Sequence, residues 1–150
     1  MVTESENLPD FVPLNIFYKN TKVLLLSAHT DDCELAMGGT ISRLVKAEAQ
    51  VHWVIFCNAW QSLPPGFPKE TLIAEQENAA TKLGVSPDKL TLKDIPVRNF
   101  PEHRQQILEE LVQLKKNFNP DLVFCPSLQD THQDHKTLAE EAQRAFKSTT

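Results

Sequence analysis

The sequence predicts an α/β fold, a three-layer sandwich built on a mostly parallel sheet. Three observations predict it. Short apolar runs alternate with segments of helical periodicity in the order β-α-β-α-β-α-β-α, and such alternation builds a parallel sheet covered by helices on both faces. The runs are apolar throughout rather than at every second residue, the pattern of strands buried on both sides. The chain has 150 residues, 41% hydrophobic and 23% charged, which suits one folded domain of Rossmann-like type.

Each element carries its own signal. Residues 1–21 hold Pro9 and Pro13 and no sustained period, so they read as an irregular arm whose Phe11, Ile16, Phe17 and Tyr18 pack on the domain. Residues 22–28 (KVLLLSA) form the first strand. From 40 to 48, Ile41, Leu44 and Val45 fall at helical spacing. Residues 51–57 (VHWVIFC) are β-branched, aromatic and apolar, hence a second strand. Residues 58–68 are rich in Pro and Gly and read as a loop. A helix follows over 70–83 with Leu72, Ile73, Ala79, Ala80 and Leu83 inward, and Gly84 stops it. Residues 90–92 are a short third strand. Pro101 opens the longest helix, to residue 117, and Pro120 lies just beyond it. Residues 121–125 are the fourth strand. The last helix starts at Asp134, with Leu138, Ala142, Ala145 and Phe146 on one stripe.

Composition excludes several classes. Fifteen basic and twenty acidic residues give a net charge of −5, which argues against a nucleic-acid or anionic-membrane surface. No run approaches the ~18 apolar residues of a membrane span. The start, MVTESENLPD, has neither the basic head nor the apolar middle of a secretory signal. Cys33, Cys57 and Cys125 are odd in number and widely spaced. They make no disulfide framework, and a reducing cytoplasm is expected.

Two polar clusters each follow a predicted buried strand: residues 28–34 (AHTDDCE) and 130–135 (DTHQDH). In open parallel sheets ligands bind beyond the carboxyl ends of the strands, where strand order reverses. With strand one central and strand four beside it, the clusters face each other. The chain lacks a Gly-x-Ser-x-Gly elbow, a phosphate loop and a Gly-x-Gly-x-x-Gly turn. Imidazoles with carboxylates suit a divalent metal, zinc most naturally. His29 and Asp32 lie three apart and can converge on one ion, and His135 can supply a third ligand. Asp31 then points elsewhere, free to take a proton from metal-bound water. His132 is left to stabilise an oxyanion or protonate a leaving group. Asp134 can orient a histidine from behind.

HTDDCELAMGG followed far downstream by DTHQDH resembles the LmbE/PIG-L family of zinc-dependent deacetylases. That family's first motif is Ala-His-Pro-Asp-Asp, an acidic residue and a Gly-Gly pair, and its last is His-x-Asp-His. Residues 74–85 (AEQENAATKLGV) match a middle helix motif at Glu75, Ala79-Ala80 and Leu83-Gly84. The likeness continues through 119–135, so that the matches span most of residues 22–146. The resemblance implies an LmbE-like domain with Zn2+ held by His29, Asp32 and His135. It makes Asp31 the general base and His132 the residue that stabilises the tetrahedral intermediate. The implied reaction removes an N-acetyl or N-acyl group from a small-molecule amino sugar or its conjugate. The partners expected are that small molecule and, as one option, further copies of the chain, with no nucleic acid and no membrane.

Three departures stand out. Thr30 replaces the usual Pro, Leu72 replaces an Arg expected three before Glu75, and the chain stops just after the last motif's helix. Family members continue there, so the expectation is a single domain without the family's C-terminal portion. Two rival readings share the clusters. One is a non-catalytic metal- or sugar-binding domain derived from the enzyme. The other is a phosphoesterase, which often needs two metals where ligands for one are present.

Other residues have plainer readings. Asp134 suits a helix N-cap. Glu34 either meets the site from behind or favours the following helix. Gly38-Gly39 allow close approach of a ligand or tight packing. Cys33 reads as a small buried side chain, and Cys57 and Cys125 as core. His52 reads as structural and His103 as solvated. Trp60 is placed either to stack on a sugar ring or to anchor its loop. Arg98 reads as a surface arginine, or as a contact to a substrate hydroxyl or phosphate.

Overall fold

A central strand, apolar on both faces, organises the molecule. The computed structural model describes residues 17–147. In it β1 (Lys22–Ser27) lies between β2 (Gln50–Ile55) and β4 (Leu122–Phe124), and β3 (Leu90–Leu92) pairs with β2. The order is β3-β2-β1-β4, and every pairing is parallel. The helices are α1 (Asp32–Lys46), α2 (Thr71–Lys82), α3 (Arg104–Phe118) and α4 (Gln133–Phe146).

Alternate residues of β1 feed two cores. Val23 and Leu25 join Trp53, Ile41, Leu44 and Ala80 on the α1–α2 side. Leu24 and Leu26 join Phe56, Ile107, Leu111 and Leu138 on the α3–α4 side. Each such side chain stabilises the fold by about 1.5–3 kcal/mol when removed from water, so no position of the strand interior is free to be polar. Ser27 ends the run, and its hydroxyl accepts the indole N–H of Trp53 at 2.9 Å.

Several local expectations are corrected. α1 begins at Asp32, well before Thr40. Its first turn is polar but acidic, which suits the positive end of the helix dipole. The only interruption in α1 is Met37, whose φ of −147° and ψ of 24° are not helical. The glycine pair beside it is not demanded by tight packing: a Cβ on Gly39 would meet nothing within 4 Å, and one on Gly38 only Leu83, at 3.7 Å. The helix expected from Pro101 opens as a 3-10 turn, Phe100–His103, before α3. Residue 84 does stop α2, with φ +87°. The buried positions of α2 are Gln76 and Ala80, while Leu72, Ile73, Ala79 and Leu83 are half-buried. His132, not Asp134, is the N-cap of α4. Cys125 is exposed rather than core, whereas Cys33 and Cys57 are buried. Phe17 packs on the α1–α2 core under the Arg43 guanidinium, but Tyr18 is exposed. Phe11 and Ile16 lie outside the described residues. Among those residues, no helix is long and apolar enough to cross a membrane.

Candidate metal centre and its cavity

Because β1 and β4 are parallel neighbours, the segments leaving them emerge on the same edge of the sheet. This brings together His29 and His135, 106 positions apart. Asp32 folds back on its own loop: its Oδ2 accepts the backbone N–H of His29 at 2.9 Å. Its Oδ1 is thereby turned to within 3.2 Å of His135 Nε2. His29 Nδ1 lies 3.1 Å from that same nitrogen. Two imidazoles and a carboxylate therefore meet at one point.

Each histidine has a carboxylate behind it. His29 Nε2 donates to Asp134 Oδ2 at 2.9 Å, and His135 Nδ1 donates to Asp130 Oδ2 at 2.9 Å. A carboxylate only accepts, so a proton of each ring sits on the outer nitrogen and the inner nitrogen faces the centre. Asp134 is fully buried. It is held in turn by main-chain N–H groups from the loop between β3 and α3. Arg98 donates to its Oδ2 at 2.6 Å and Phe100 to its Oδ1 at 3.3 Å. Arg98 adopts φ +69° to do so, a left-handed conformation that costs a non-glycine residue. Arg98 thus reaches the site through its backbone N–H, while its side chain is exposed.

Electrostatics follow the same geometry. The hydrogen bond to Asp32 pushes the His135 imidazole up to about 9; burial opposes the rise and Asp130 adds to it. Burial works against ionisation of Asp32, but the bonds from His135 and from the His29 N–H outweigh it and hold the carboxyl below its ordinary range. The point between Asp32 and His135 therefore favours positive charge. This charge preference and the nitrogen and oxygen donors fit a divalent cation, which would take the place of the proton on Nε2.

His132 is part of the same group: one nitrogen from each of His29, His132 and His135 lies within 4.8 Å of the others, an arrangement that could hold a metal ion. Its hydrogen bonding argues for a different task. His132 Nδ1 accepts the N–H of Asp134 at 3.2 Å, capping α4. A neutral ring with an accepting Nδ1 carries its proton on Nε2, where it donates rather than ligates. Burial, the largest cause, pushes this imidazole below its ordinary value, which favours the neutral ring. Asp32, whose Oδ1 faces His135 Nε2, stands as a candidate third ligand beside the two histidines.

The cluster opens onto two cavities. One, of about 440 Å³, is lined by His29, Asp31, His132, Leu72 and Glu75, among others. The other, of about 320 Å³, is lined by Asp32, Asp130 and His135 together with apolar Leu26, Met37 and Phe124. Asp31 is exposed at the N-cap of α1, and its side chain makes no cap bond.

Sequence reasoning gave Asp130 no role. Its signal was present, since an Asp two residues before His132 can form an Asx turn. Asp130 Oδ1 indeed accepts the His132 N–H at 2.8 Å, leaving Oδ2 for His135. Of the other residues singled out, Cys33 lines the smaller cavity with Asp32 and His135. Burial pushes the Cys33 thiol up to about 12, so it offers no thiolate. Burial, then Asp31 and Asp32, raises the Glu34 carboxyl, and its Oε2 is buried without a partner. Lys69 Nζ sits 4.0 Å over one face of the Trp60 ring. His52 is structural, with Nε2 3.0 Å from Thr91 Oγ1 and its ring edge-on to Phe118. His103 Nδ1 lies 3.2 Å from Gln106 Oε1 at the surface.

Known proteins agree with this architecture. The family model described as GlcNAc-PI de-N-acetylase (PIG-L) matches residues 24–146. Among solved structures, N,N′-diacetylchitobiose deacetylase from Pyrococcus horikoshii is 26% identical, with a TM-score of 0.72 over 83% of this chain and 49% of that one. A conserved protein from Thermus thermophilus is also 26% identical, with a TM-score of 0.67 over 83% of this chain and 55% of its own. The 4-carboxy-2-hydroxymuconate hydratase of Pseudomonas putida, at 21% identity and a TM-score of 0.66, covers the same shares, 83% and 55%, and is alike in fold alone. The chain spans about half the length of these structures.

Proposed function

The chain belongs to the GlcNAc-PI de-N-acetylase family, and from that premise we propose that it is a zinc-dependent hydrolase removing an N-acetyl, or more broadly N-acyl, group from a small amino sugar or its conjugate. The carrying observation is the convergence of His29 Nδ1 and Asp32 Oδ1 on His135 Nε2 beside a cavity lined by Asp31 and His132. His29, Asp32 and His135 would hold the ion. When bound, zinc acts as a Lewis acid toward an acyl carbonyl and makes water more acidic. Asp31 accepts a proton from the attacking water. His132, with its proton on Nε2, donates to the oxygen of the tetrahedral intermediate. Asp134 and Asp130 keep His29 and His135 in the tautomers that face the centre. The 26% identity to a diacetylchitobiose deacetylase supports a sugar as the amine component, and three free cysteines suit a reducing, cytoplasmic setting.

The test is direct. The purified chain should hold about one zinc ion, as a single three-ligand site requires, and release acetate from an N-acetyl amino sugar conjugate. Asp31→Asn should keep the metal and lose about 10²–10⁴-fold in kcat; full activity in that variant discards Asp31 as the base. His135→Ala should lose the metal. Because the chain spans about half of the structures it matches, a second reading is tested alongside. Zinc binding without turnover across a broad panel of acetamides supports a metal- and sugar-binding domain instead.

A further inference from the structure

We infer that the larger cavity selects unphosphorylated amino-sugar derivatives against phosphorylated ones, with Glu75 as the residue that holds the amine; this rests on the hydrolase reading above. The cavity of about 440 Å³ falls within the range of small-molecule sites. Its ionisable lining consists of two carboxylates, Asp31 and Glu75, and two imidazoles, His29 and His132; among the described residues no Lys or Arg lines it. One helical turn before Glu75, the wall is apolar Leu72. Lys69, the lysine nearest in sequence, is docked on Trp60 instead. Behind His29 and His135 stand Asp134 and Asp130, and Asp32 adds a further carboxylate. A divalent ion would offset only part of that negative charge.

The chemistry of amide hydrolysis turns the charge pattern into selectivity. Water oxygen bonds to the acyl carbon and the C–N bond breaks. The acyl group leaves as a carboxylate, and both water protons end on nitrogen, so R–NH–CO–R′ and H2O give R–NH3+ and R′–COO−. An ammonium thus appears in a cavity that already presents Asp31 and Glu75. Asp31 is occupied by proton transfer, which leaves Glu75 to pair with the cation. The same carboxylate repels a phosphate on the sugar, and no basic side chain in the lining compensates.

Titration of the zinc-loaded chain with glucosamine and with glucosamine 6-phosphate reads the preference without relying on turnover. Acetate release from the two N-acetylated forms is measured in parallel. Glucosamine should bind at least tenfold tighter than its 6-phosphate. Glu75→Gln should weaken glucosamine several-fold with zinc content unchanged, and Leu72→Arg should narrow or reverse the preference. Equal or tighter binding of the 6-phosphate by the unaltered chain overturns the inference, as does binding of neither amine or an unchanged glucosamine affinity in Glu75→Gln. Failure of the hydrolase reading looks different. Glucosamine is then still preferred, and its preference still depends on Glu75, while no acetate is released from either acetylated sugar.

Discussion

Asp130 divides one side chain between two tasks. One oxygen closes the turn at His132 and the other holds the ring proton of His135. Removing it frees the His135 ring to rotate and to place its proton on the wrong nitrogen. Asp130→Ala is therefore expected to lower zinc affinity about 10–100-fold, measured by competition with a chromogenic chelator. Unchanged affinity would assign Asp130 to the turn alone. At this scale the meeting of His29, Asp32 and His135 was legible, because residue type and spacing nominate groups that can converge. Asp130 was not, because which of its oxygens meets which partner is decided by the turn. That His132 sits beside the other two histidines was legible, but its tautomer depends on a helix end displaced from Asp134 to His132.

Among the elements, α2 and its exit give the sharpest contrast in glycine use. Gly84 has φ +87°, and a Cβ there would stand 2.8 Å from Val45 Cγ1. Gly84→Ala combines backbone strain with overlap and should cost about 1–3 kcal/mol, seen as a lower urea midpoint with unchanged slope. Gly39→Ala meets open space inside α1 and should be neutral or stabilising by up to about 1 kcal/mol. Equal losses at both positions would refute the packing account. The strands were readable because burial on two faces leaves a continuous apolar run, as in Leu24-Leu25-Leu26. The start of α1 was hidden because its first turn is composed for the site: Asp32 is polar for what it meets across the sheet edge, and helical periodicity appears only past Met37.

For the molecule as a whole, the proposed centre joins β1, α1 and α4, so an ion held there binds the folded chain far better than the unfolded one. Zinc at 100 times its dissociation constant should stabilise by about 2.7 kcal/mol. The melting temperature should rise with zinc, fall back with EDTA, and fail to respond in His135→Ala; a shift that survives in that variant places the ion elsewhere. The parallel arrangement with β4 beside β1 was anticipated from the alternation of elements and from the two polar clusters. The loop between β3 and α3 was not, since it acts through main-chain amides, which any sequence possesses. Its support has a temporal side. The Asp134 carboxylate ties His29 to Arg98 and Phe100, and those groups leave the ribosome in the order 29, 98, 100, 134. A growing polypeptide can pair β1 with β2 early, yet His29 acquires its orienting partner only after α4 has begun to emerge. An ion held at the proposed centre would have to wait for the same moment, since His135 lies on α4 as well.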